Sequence, residues 1–332
     1  MGSIRVGLKE AGQHARVTAA PLGSGHARKR CEPLASSART SMGIRRSRLP
    51  STTSCARQAS LVVARRYPPL NGQRTSMARY PELTGKNAIV TGGSTGIGEA
   101  ICYALAESGV NVVVNGQRHA EAAGQVAARV RERGVRAVSA LADVSHSDDA
   151  QRLYEQAVAE LGDVDILING AGGFPQMRQL VDTPEDEWDN VINRNLKSAF
   201  LCCKVVLPRM LERRWGRIVN ISSDAARMPI RLTAAHYAAS KAGLLGLTRH
   251  LAREVADRGV TVNATCPSTT RSPRIEALYG TEAEAAAAIS LTPIGRLAEP
   301  GDQAGVVAFL CSNEAAYITG ATIDVSGGKI TL

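Results

Sequence analysis

The sequence lacks the cysteine arrangements that mark metal sites and disulfide frameworks. None of its seven cysteines belongs to a CxxC pair, and none has a histidine at metal-ligand spacing. The five cysteines after residue 100 stand in apolar contexts, where a free cysteine behaves as a small hydrophobic side chain. The sequence therefore predicts a reduced protein without a bound metal.

Long apolar runs are missing as well. No stretch of the chain approaches the roughly 20 apolar residues that spanning a bilayer requires. We therefore expect no membrane partner and a cytoplasmic protein, or one of an organelle matrix if the N-terminal segment is a transit peptide.

Acidic residues are scarce near the N-terminus. Residues 1–79 contain 15 Lys and Arg but only Glu10 and Glu32, whereas the remaining chain has a net charge of −3. The basic character of the sequence thus belongs to its leader, and we expect no nucleic acid as a partner of the folded part. Any affinity of the leader for nucleic acid would vanish on deletion of residues 1–76.

The leader, residues 1–80, also lacks sustained hydrophobic periodicity and is rich in Arg, Ser, Pro and Gly. Such a segment cannot bury enough apolar surface to offset the entropy of ordering, so we predict a disordered extension. Two origins remain open. Its composition is typical of a transit peptide, but the stretch from Met77 looks like an ordinary start of the next domain, which favours a leader that is not native.

Beyond Lys86, apolar runs of strand length alternate with helical patterns, without a linker or a second change in composition. This alternation predicts one α/β domain over 81–332, in which about seven parallel strands are doubly wound by helices on both faces. The predicted strands are Asn87–Thr91, Val110–Asn115, Arg136–Ala140, Ile166–Asn169, Arg217–Ser222, Val260–Thr265 and Thr322–Val325. The predicted helices cover 97–108, 119–133, 147–161, 184–213, 235–257 and 301–312. An Ala-rich helix, Thr281–Ser290, lies in a segment (273–291) that interrupts the alternation and predicts a lid over the active-site edge.

A glycine-rich turn joins the first predicted strand to the first predicted helix. Its sequence is Thr91-Gly92-Gly93-Ser94-Thr95-Gly96-Ile97-Gly98. A strand, a glycine turn and a helix in this order present the unpaired N–H groups of the helix N-terminus to a pyrophosphate. Glycine is required where a Cβ would block the phosphates or forbid the backbone angles. Alone, such a turn is weak evidence for a nucleotide site.

A tyrosine and a lysine, Tyr237 and Lys241, stand four residues apart in a predicted helix and therefore on one of its faces. A neighbouring cation lowers the pKa of a tyrosine from its ordinary value near 10, which makes the phenol a usable acid or base near neutral pH. Taken alone, the pair is very weak evidence, and a surface lysine beside a half-buried tyrosine is the favoured interpretation.

Further motifs accompany this pair in a fixed order along the chain. They are Asp143-Val144 after the third predicted strand, Asn169-Gly170-Ala171-Gly172 after the fourth, Asn195 on a helix, Ser223 after the fifth strand and Ile318–Gly328 near the C-terminus. With these motifs, the sequence over 83–332 resembles the short-chain dehydrogenase/reductase family. The resemblance implies a single Rossmann-type domain and an NAD(P)(H)-dependent enzyme that interconverts a ketone and a secondary alcohol.

The resemblance also implies a catalytic role for each of four residues. Tyr237 exchanges a proton with the substrate oxygen, which Ser223 holds by a hydrogen bond. Lys241 binds the nicotinamide ribose and lowers the pKa of the tyrosine, and Asn195 organises a water that relays protons to solvent. Ser222 competes with Ser223 for its role, but strand alternation points Ser222 to the opposite side.

The resemblance further implies a set of cofactor contacts. These are Gly92, Ser94, Thr95, Gly96, Ile97, Gly98, Arg118, Asp143, Val144, Asn169, Ala171, Gly172, Tyr237, Lys241, Pro267 and Ser272. Members that prefer NAD usually carry an acid at the position of Gly116, where it binds the ribose 2′-hydroxyl. That acid is absent here and Arg118 can pair with a 2′-phosphate, so NADP(H) is favoured over NAD(H). The alternative for Arg118 is a solvated arginine in the first turn of a helix.

The sequence indicates the substrate less clearly than the reaction. We expect a pocket with Phe174 and Met228 as an apolar wall, with His236 in its lining and with Asp224 as a candidate to bind a polar group. Phe174, Met228 and Asp224 could equally be structural.

Two arginines favour a substrate that is carried by an acidic protein. Arg214 and Arg258 match positions at which 3-oxoacyl-carrier-protein reductases dock their carrier, although exposed arginines are common in the family. A 3-oxoacyl-thioester reductase is therefore our first prediction. A sugar, polyol or other secondary-alcohol dehydrogenase comes next, and an inactive binding or regulatory member that keeps only the fold is a third possibility. The long helices 184–213 and 235–257 resemble those through which the family forms dimers and tetramers, so we expect a homo-oligomer.

Overall fold

Short runs of mainly β-branched and other apolar residues form seven strands, which pair in parallel into one sheet in the computed structural model of the chain. The strands are β1 (Asn87–Thr91), β2 (Asn111–Gly116), β3 (Ala137–Leu141), β4 (Ile166–Asn169), β5 (Gly216–Ile221), β6 (Val260–Pro267) and β7 (Thr322–Val325). The sheet order is β3-β2-β1-β4-β5-β6-β7, so the direction of winding reverses between β1 and β4. Every residue of β1, β2, β4 and β5 is buried, as expected for parallel strands covered on both faces.

The structure describes residues 80–118, 120–230, 233–272, 275 and 281–331. The predictions made for residues 1–79, and for 273, 274 and 276–280 of the lid segment, lie outside the described residues. Among the helices of these ranges, none combines the length and the apolar character that a membrane span requires.

The described part of the chain contains eight α-helices. They are α1 (Gly96–Glu107), α2 (Ala120–Arg131), α3 (Ser147–Leu161), α4 (Glu185–Ile192), α5 (Ser198–Arg213), α6 (Ala235–Val255), α7 (Glu282–Ser290) and α8 (Pro300–Cys311). Short 3₁₀ turns cover Pro81–Leu83, Leu180–Asp182, Asp224–Ala226, Ala256–Arg258 and Asn313–Ala315.

Helices cover both faces of the sheet. On one face, α1, α2 and α8 pack around a core that includes the buried side chains of Ile101 and Leu310. On the other face, α3, α5 and α6 pack around Leu153, Val206 and Met210. The molecule therefore has the doubly wound α/β architecture that the alternating sequence pattern predicts.

All seven predicted strands are present, and their ends differ from the prediction by at most two residues. Strand β6 continues two residues further than predicted, to Pro267, because β7 pairs with it as far as Val325. The helix predicted over 184–213 is present as a continuous helical segment with α-helical angles at both junctions, but it is not α-helical throughout. Helix α4 begins at Glu185, and a π turn over Asn193–Lys197 separates it from α5.

The cysteines of the described residues are free and buried, as the sequence predicts. They are Cys102, Cys202, Cys203, Cys266 and Cys311. Burial raises the pKa of Cys266 to about 11, and raises the others further, so these side chains remain neutral thiols within the core.

Candidate active site

A cavity of about 730 Å³ opens at the carboxyl ends of the strands. Its lining residues follow β1, β2 and β3 on one side and β4, β5 and β6 on the other. In open α/β sheets, ligands bind at this edge, at the point where the strand order reverses. The cavity therefore lies where a cofactor and a substrate can bind side by side.

Close backbone contacts explain the glycines of the turn after β1. Gly92 has a φ of +66°, and a Cβ on it would lie 2.8 Å from the carbonyl oxygen of Gly170. A Cβ on Gly98 would lie only 2.1 Å from the carbonyl oxygen of Gly92. Because both obstacles are backbone atoms, neither contact can be relieved by moving a side chain.

The N-terminus of α1 is open to an anionic ligand. The residue before the helix, Thr95, makes no side-chain capping hydrogen bond to the first turn. Gly96 has a φ of +57°, and the space beside it is empty apart from the Cβ of Ser272 at 4.0 Å. First-turn N–H groups that are not capped and that face such a space form a suitable cradle for a phosphate. The local residues thus fit the pyrophosphate of a dinucleotide cofactor.

The end of β1 is bonded to the segment that follows β4. The Thr91 hydroxyl donates to the carbonyl oxygen of Ile168 (3.2 Å) and accepts from the N–H groups of Gly170 (3.0 Å) and Ala171 (3.1 Å). These three hydrogen bonds hold the glycine turn against the Gly170–Gly172 segment, and together the two segments form one wall of the cavity.

Polar side chains meet at the ends of β2 and β3. The Gln117 amide donates to Asp143 Oδ2 at 2.5 Å, and the Ser145 hydroxyl donates to Asp143 Oδ1 at 2.6 Å. Burial alone would raise the pKa of Asp143, but the hydrogen bonds from Ser145 and Gln117 outweigh it and lower the pKa. Asp143 is therefore ionised at neutral pH, and Arg118 lines the same part of the cavity.

Fifteen of the sixteen residues predicted to contact the cofactor line the cavity, and Asn169 does not. The Asn169 side chain is buried, and its amide donates to Asn220 Oδ1 (2.8 Å) and to Cys203 Sγ (3.4 Å). Its side chain therefore joins β4 to β5 and α5 rather than facing the cavity. For the other fifteen residues, direct contact with a cofactor stays a prediction.

Lys241 brings a buried amino group to the cavity wall. Its Nζ atom donates to the carbonyl oxygen of Ile221 at 2.7 Å and lies 5.7 Å from the centre of the Tyr237 ring. Burial lowers the pKa of Lys241 from its ordinary range to about 8, against a smaller opposing effect of Cys266. At neutral pH the group is still mainly protonated, so it places a positive charge beside the tyrosine.

The two serines at the end of β5 have different partners. Ser222 donates to the carbonyl oxygen of Lys241 at 2.8 Å, which ties β5 to α6. The Ser223 hydroxyl accepts from the N–H of Ala225 (3.1 Å) and donates to Asp224 Oδ1 (3.1 Å). Among the described residues, the Ser223 hydroxyl bonds only to its own loop, so it can turn toward a ligand without breaking any contact between elements that these residues make.

Asn195 lies in the π turn and behind the cavity wall. Its side-chain oxygen accepts from the N–H of Gly173 (2.8 Å), and its amide donates to the carbonyl oxygens of Gly173 (2.7 Å) and Val191 (2.8 Å). The side chain is buried and does not line the cavity. These bonds hold the start of the segment after Gly172, and the predicted role of Asn195 in organising a water stays a prediction.

The prediction that His236 lines the pocket is wrong. Its side chain is completely buried, and Nε2 lies 3.1 Å from Glu187 Oε1 on α4. The hydrogen bond with His236 and the nearby Arg178 lower the pKa of Glu187. Successive residues of a helix point in different directions, so Tyr237 faces the cavity while His236 faces α4.

Phe174 and residues between Ser223 and Tyr237 line a further part of the cavity. Phe174 lines the cavity as predicted, and its ring centre lies 4.8 Å from that of Tyr237. Met228 does not line it, whereas Ile230 and Thr233 do. These two residues and Arg194 were not identified from the sequence, although Arg194 adjoins Asn195 and the other two lie between the predicted catalytic residues.

Asp224 lines the cavity but is already paired. Its Oδ2 atom accepts from the Lys329 ammonium at 3.0 Å, and both side chains are largely buried. The charge of Asp224 is thus met by the protein itself, which argues against a substrate cation as its partner.

The two arginines predicted to dock a carrier lie away from the cavity. Arg214 and Arg258 are exposed and stand two residues before β5 and β6, at the amino edge of the sheet. Arg214 has a φ of +53°, and its guanidinium donates to the carbonyl oxygen of Asp257 at 2.6 Å. Neither arginine lines the cavity, which opens at the opposite edge.

Comparisons with known proteins identify the family. The family model described as "Enoyl-(Acyl carrier protein) reductase" matches residues 92–329. The 3-oxoacyl-(acyl-carrier-protein) reductase FabG of Staphylococcus epidermidis is 40% identical over 243 residues, which cover 73% of this chain and 98% of the relative. The chain belongs to the short-chain dehydrogenase/reductase family, and it is an NAD(P)-dependent oxidoreductase.

Solved structures agree with this assignment. A 3-oxoacyl-(acyl-carrier-protein) reductase from Brucella melitensis superposes with a TM-score of 0.73 at 30% identity, covering 80% of this chain and 98% of that chain. A Brucella melitensis reductase with bound NAD gives a TM-score of 0.69 with the same identity and coverage. The Rossmann-type fold implied by the sequence motifs is therefore confirmed.

Proposed function

We propose that this enzyme reduces the ketone of 3-oxoacyl thioesters to a secondary alcohol. The supporting observation is that Ser223, Tyr237 and Lys241 line the same cavity as the glycine turn after β1. Two hydroxyl groups near one substrate oxygen can both bind a carbonyl and protonate the alkoxide formed from it. The Staphylococcus epidermidis relative carries this activity in its name.

Each of these groups has a separate task in the proposed reaction. The cofactor, when bound, supplies the hydride. Ser223 holds the substrate oxygen and Tyr237 gives its proton to that oxygen. The ammonium of Lys241, 5.7 Å from the tyrosine ring, stabilises the phenolate that remains. Phe174 packs on the tyrosine ring and restricts its movement.

The residues at the end of β2 and just after it favour NADP(H) over NAD(H). No acidic side chain stands at Gly116, and Ser94 and Arg118 line the cavity beside it. A guanidinium and a hydroxyl are suitable partners for a 2′-phosphate. Arg118→Ala should weaken NADPH binding about tenfold or more and leave NADH binding unchanged in a fluorescence titration. Equal losses for both cofactors would remove Arg118 from this role.

A carrier protein and a second subunit are the proposed partners. Arg214 and Arg258 are exposed cations that stand two residues before β5 and β6, whose first residues, Gly216 and Val260, pair in the sheet. Such a pair of cations attracts an acidic surface. Arg214→Glu should raise KM for a carrier-bound acetoacetyl thioester several-fold and not alter KM for a small acetoacetyl thioester. An equal change for both substrates would argue against docking at this edge.

A substrate panel tests the proposed reaction directly. The panel contains an acetoacetyl thioester, a crotonoyl thioester and several secondary alcohols, each followed at the nicotinamide absorbance. The crotonoyl thioester is included because the description of the matching family model names an enoyl reductase. Fastest turnover of the acetoacetyl thioester is expected, and fastest turnover of the crotonoyl thioester would overturn the proposal.

Tyr237→Phe is the matched variant for the chemical step. It removes the proton donor and keeps the ring that packs on Phe174. Turnover should fall by at least about a hundredfold, while NADPH still binds in a fluorescence titration. Wild-type turnover by this variant would refute the role of Tyr237.

A further inference from the structure

The hydroxyl proton of Ser223 points to a carboxylate in this structure. A serine hydroxyl has one proton to donate and two lone pairs to accept with. Here the proton goes to Asp224 Oδ1 at 3.1 Å, while a lone pair accepts from the N–H of Ala225. In that orientation Ser223 can only accept from a substrate. To donate to a carbonyl oxygen, its proton must leave Asp224.

The strength of the competing acceptor depends on the charge of Asp224. A carboxylate accepts a hydrogen bond about twice as strongly as a neutral oxygen, and the surroundings of Asp224 are largely closed to water, since its side chain is only 7% exposed. An unpaired carboxylate in this position would therefore hold the serine proton more firmly than a ketone could attract it.

One cation meets the other oxygen of this carboxylate. Lys329 Nζ lies 3.0 Å from Asp224 Oδ2, and the lysine side chain is 14% exposed. Lys329 follows two glycines, Gly327 and Gly328, whose φ values of +62° and +85° lie in the left-handed region that favours glycine. The N–H of Ile294 donates to the carbonyl oxygen of Gly327 at 3.0 Å, which anchors the turn that carries the lysine.

We propose that Lys329 is a positioning residue that sets the direction of the Ser223 hydroxyl. By pairing with the charge of Asp224, Lys329 weakens the hydrogen bond that the carboxylate accepts from Ser223. The hydroxyl can then turn and donate to the substrate oxygen. Lys329 acts through Asp224 and does not itself line the cavity. This inference rests on the proposed ketone reduction, in which Ser223 binds the substrate oxygen.

The proposal predicts unequal effects from the two partners of one ion pair. Lys329→Met leaves Asp224 charged and unpaired, so kcat should fall about tenfold with little change in KM. Asp224→Ala removes the competing acceptor, so kcat should stay within about threefold of wild type. The double variant should resemble Asp224→Ala, because no carboxylate is left to retain the proton.

The melting temperature and kcat, measured together, separate this role from a purely structural one. Both single variants leave a largely buried charge without its partner, so both should lower the melting temperature. Arg227→Met is the matched control, because it breaks a neighbouring ion pair with Asp324 (3.1 Å) that also joins this loop to the C-terminal part of the sheet. It should lower the melting temperature and leave kcat unchanged.

Steady-state kinetics test the inference. They are measured for all these variants with NADPH and an acetoacetyl thioester. Equal losses of kcat in Lys329→Met and Asp224→Ala would mean that the pair only holds the loop, and wild-type kcat in Lys329→Met would exclude any role. Both results overturn the inference. In a Ser223→Ala background, Lys329→Met should cause no further loss. Full activity of Ser223→Ala itself would instead refute the proposed role of Ser223, and with it this inference.

Discussion

At the scale of single residues, Lys241 carries the feature with the clearest dependence on pH. Its folded-state pKa is about 8 because the ammonium is buried, whereas a lysine in an unfolded chain titrates near 10.4. Below pH 8 both states are protonated and the burial penalty is present in full. Between pH 8 and about 10.4 the unfolded state binds more protons. The penalty therefore shrinks, and the free energy of unfolding rises with pH.

Lys241→Met should reveal this penalty. The free energy of unfolding of both proteins is measured in urea from pH 7 to pH 10. It should exceed the wild-type value most in the Met variant at pH 7. Its advantage over wild type should shrink toward pH 10, by an amount on the order of 2 kcal/mol. A difference between the two proteins that does not vary with pH would contradict the lowered pKa.

Gly98 offers a second test on a single residue. Gly98→Ala would place a Cβ 2.1 Å from the Gly92 carbonyl oxygen, so the glycine turn must shift, at a cost of about 1–3 kcal/mol. NADPH affinity and melting temperature should both fall. Gly124→Ala is the control, because it lies in α2 with no atom within 4 Å of the added Cβ and should stabilise the helix by about 0.5–1 kcal/mol. Wild-type NADPH binding by Gly98→Ala would contradict the fit of the turn to a pyrophosphate.

Motif spacing predicts residues well where their role depends on neighbours in sequence. The turn from Gly92 to Gly98 and the pair Tyr237 and Lys241 are of this kind. Apart from Gly93, all of these residues line the cavity. His236 could not be assigned in this way. Its burial depends on Glu187, which lies 49 residues earlier and reaches it only after α4 packs on α6.

At the scale of elements, the π turn between α4 and α5 is the main feature absent from the sequence pattern. No glycine or proline stands in Asn193–Lys197 to signal it. The π turn accompanies the three hydrogen bonds of Asn195 with Gly173 and Val191. Since Gly173 is 22 residues away, tertiary contacts rather than local propensity determine this geometry.

The helix after this π turn presents an exposed aromatic residue. Phe200 on α5 is 48% exposed, and a large apolar side chain on a helix surface is a suitable anchor for a second subunit. Phe200→Glu should therefore lower the mass measured by light scattering. Val158→Glu, a similar change on the surface of α3 at a residue that is 36% exposed, should leave the mass unchanged. An unchanged mass in Phe200→Glu would exclude Phe200 from a subunit interface.

At the scale of the whole molecule, the start of the folded domain is a testable boundary. We propose that the folded domain begins at Tyr80, one residue before the predicted start at 81, because Tyr80 and Leu83 are packed into its core as the first buried side chains of the described chain. A variant that begins at Met77 should melt at the same temperature as the full chain. A variant that begins at Lys86 lacks both side chains and should lose on the order of 4 kcal/mol of stability. A lower melting temperature in the Met77 variant would mean that the leader contributes to folding.

The reversal of strand order between β1 and β4 divides the cavity into two parts that can change separately. The segment Gly116–Arg118, which bears on cofactor preference, lies at the end of β2, whereas Ser223 and Tyr237 follow β5. Strands β1 and β4 lie between β2 and β5, and sites that share no partner usually contribute additively to free energy. The fold is therefore modular in an evolutionary sense. A lineage can change its preference between NAD(H) and NADP(H) by mutations at the end of β2 and keep its acid–base chemistry intact.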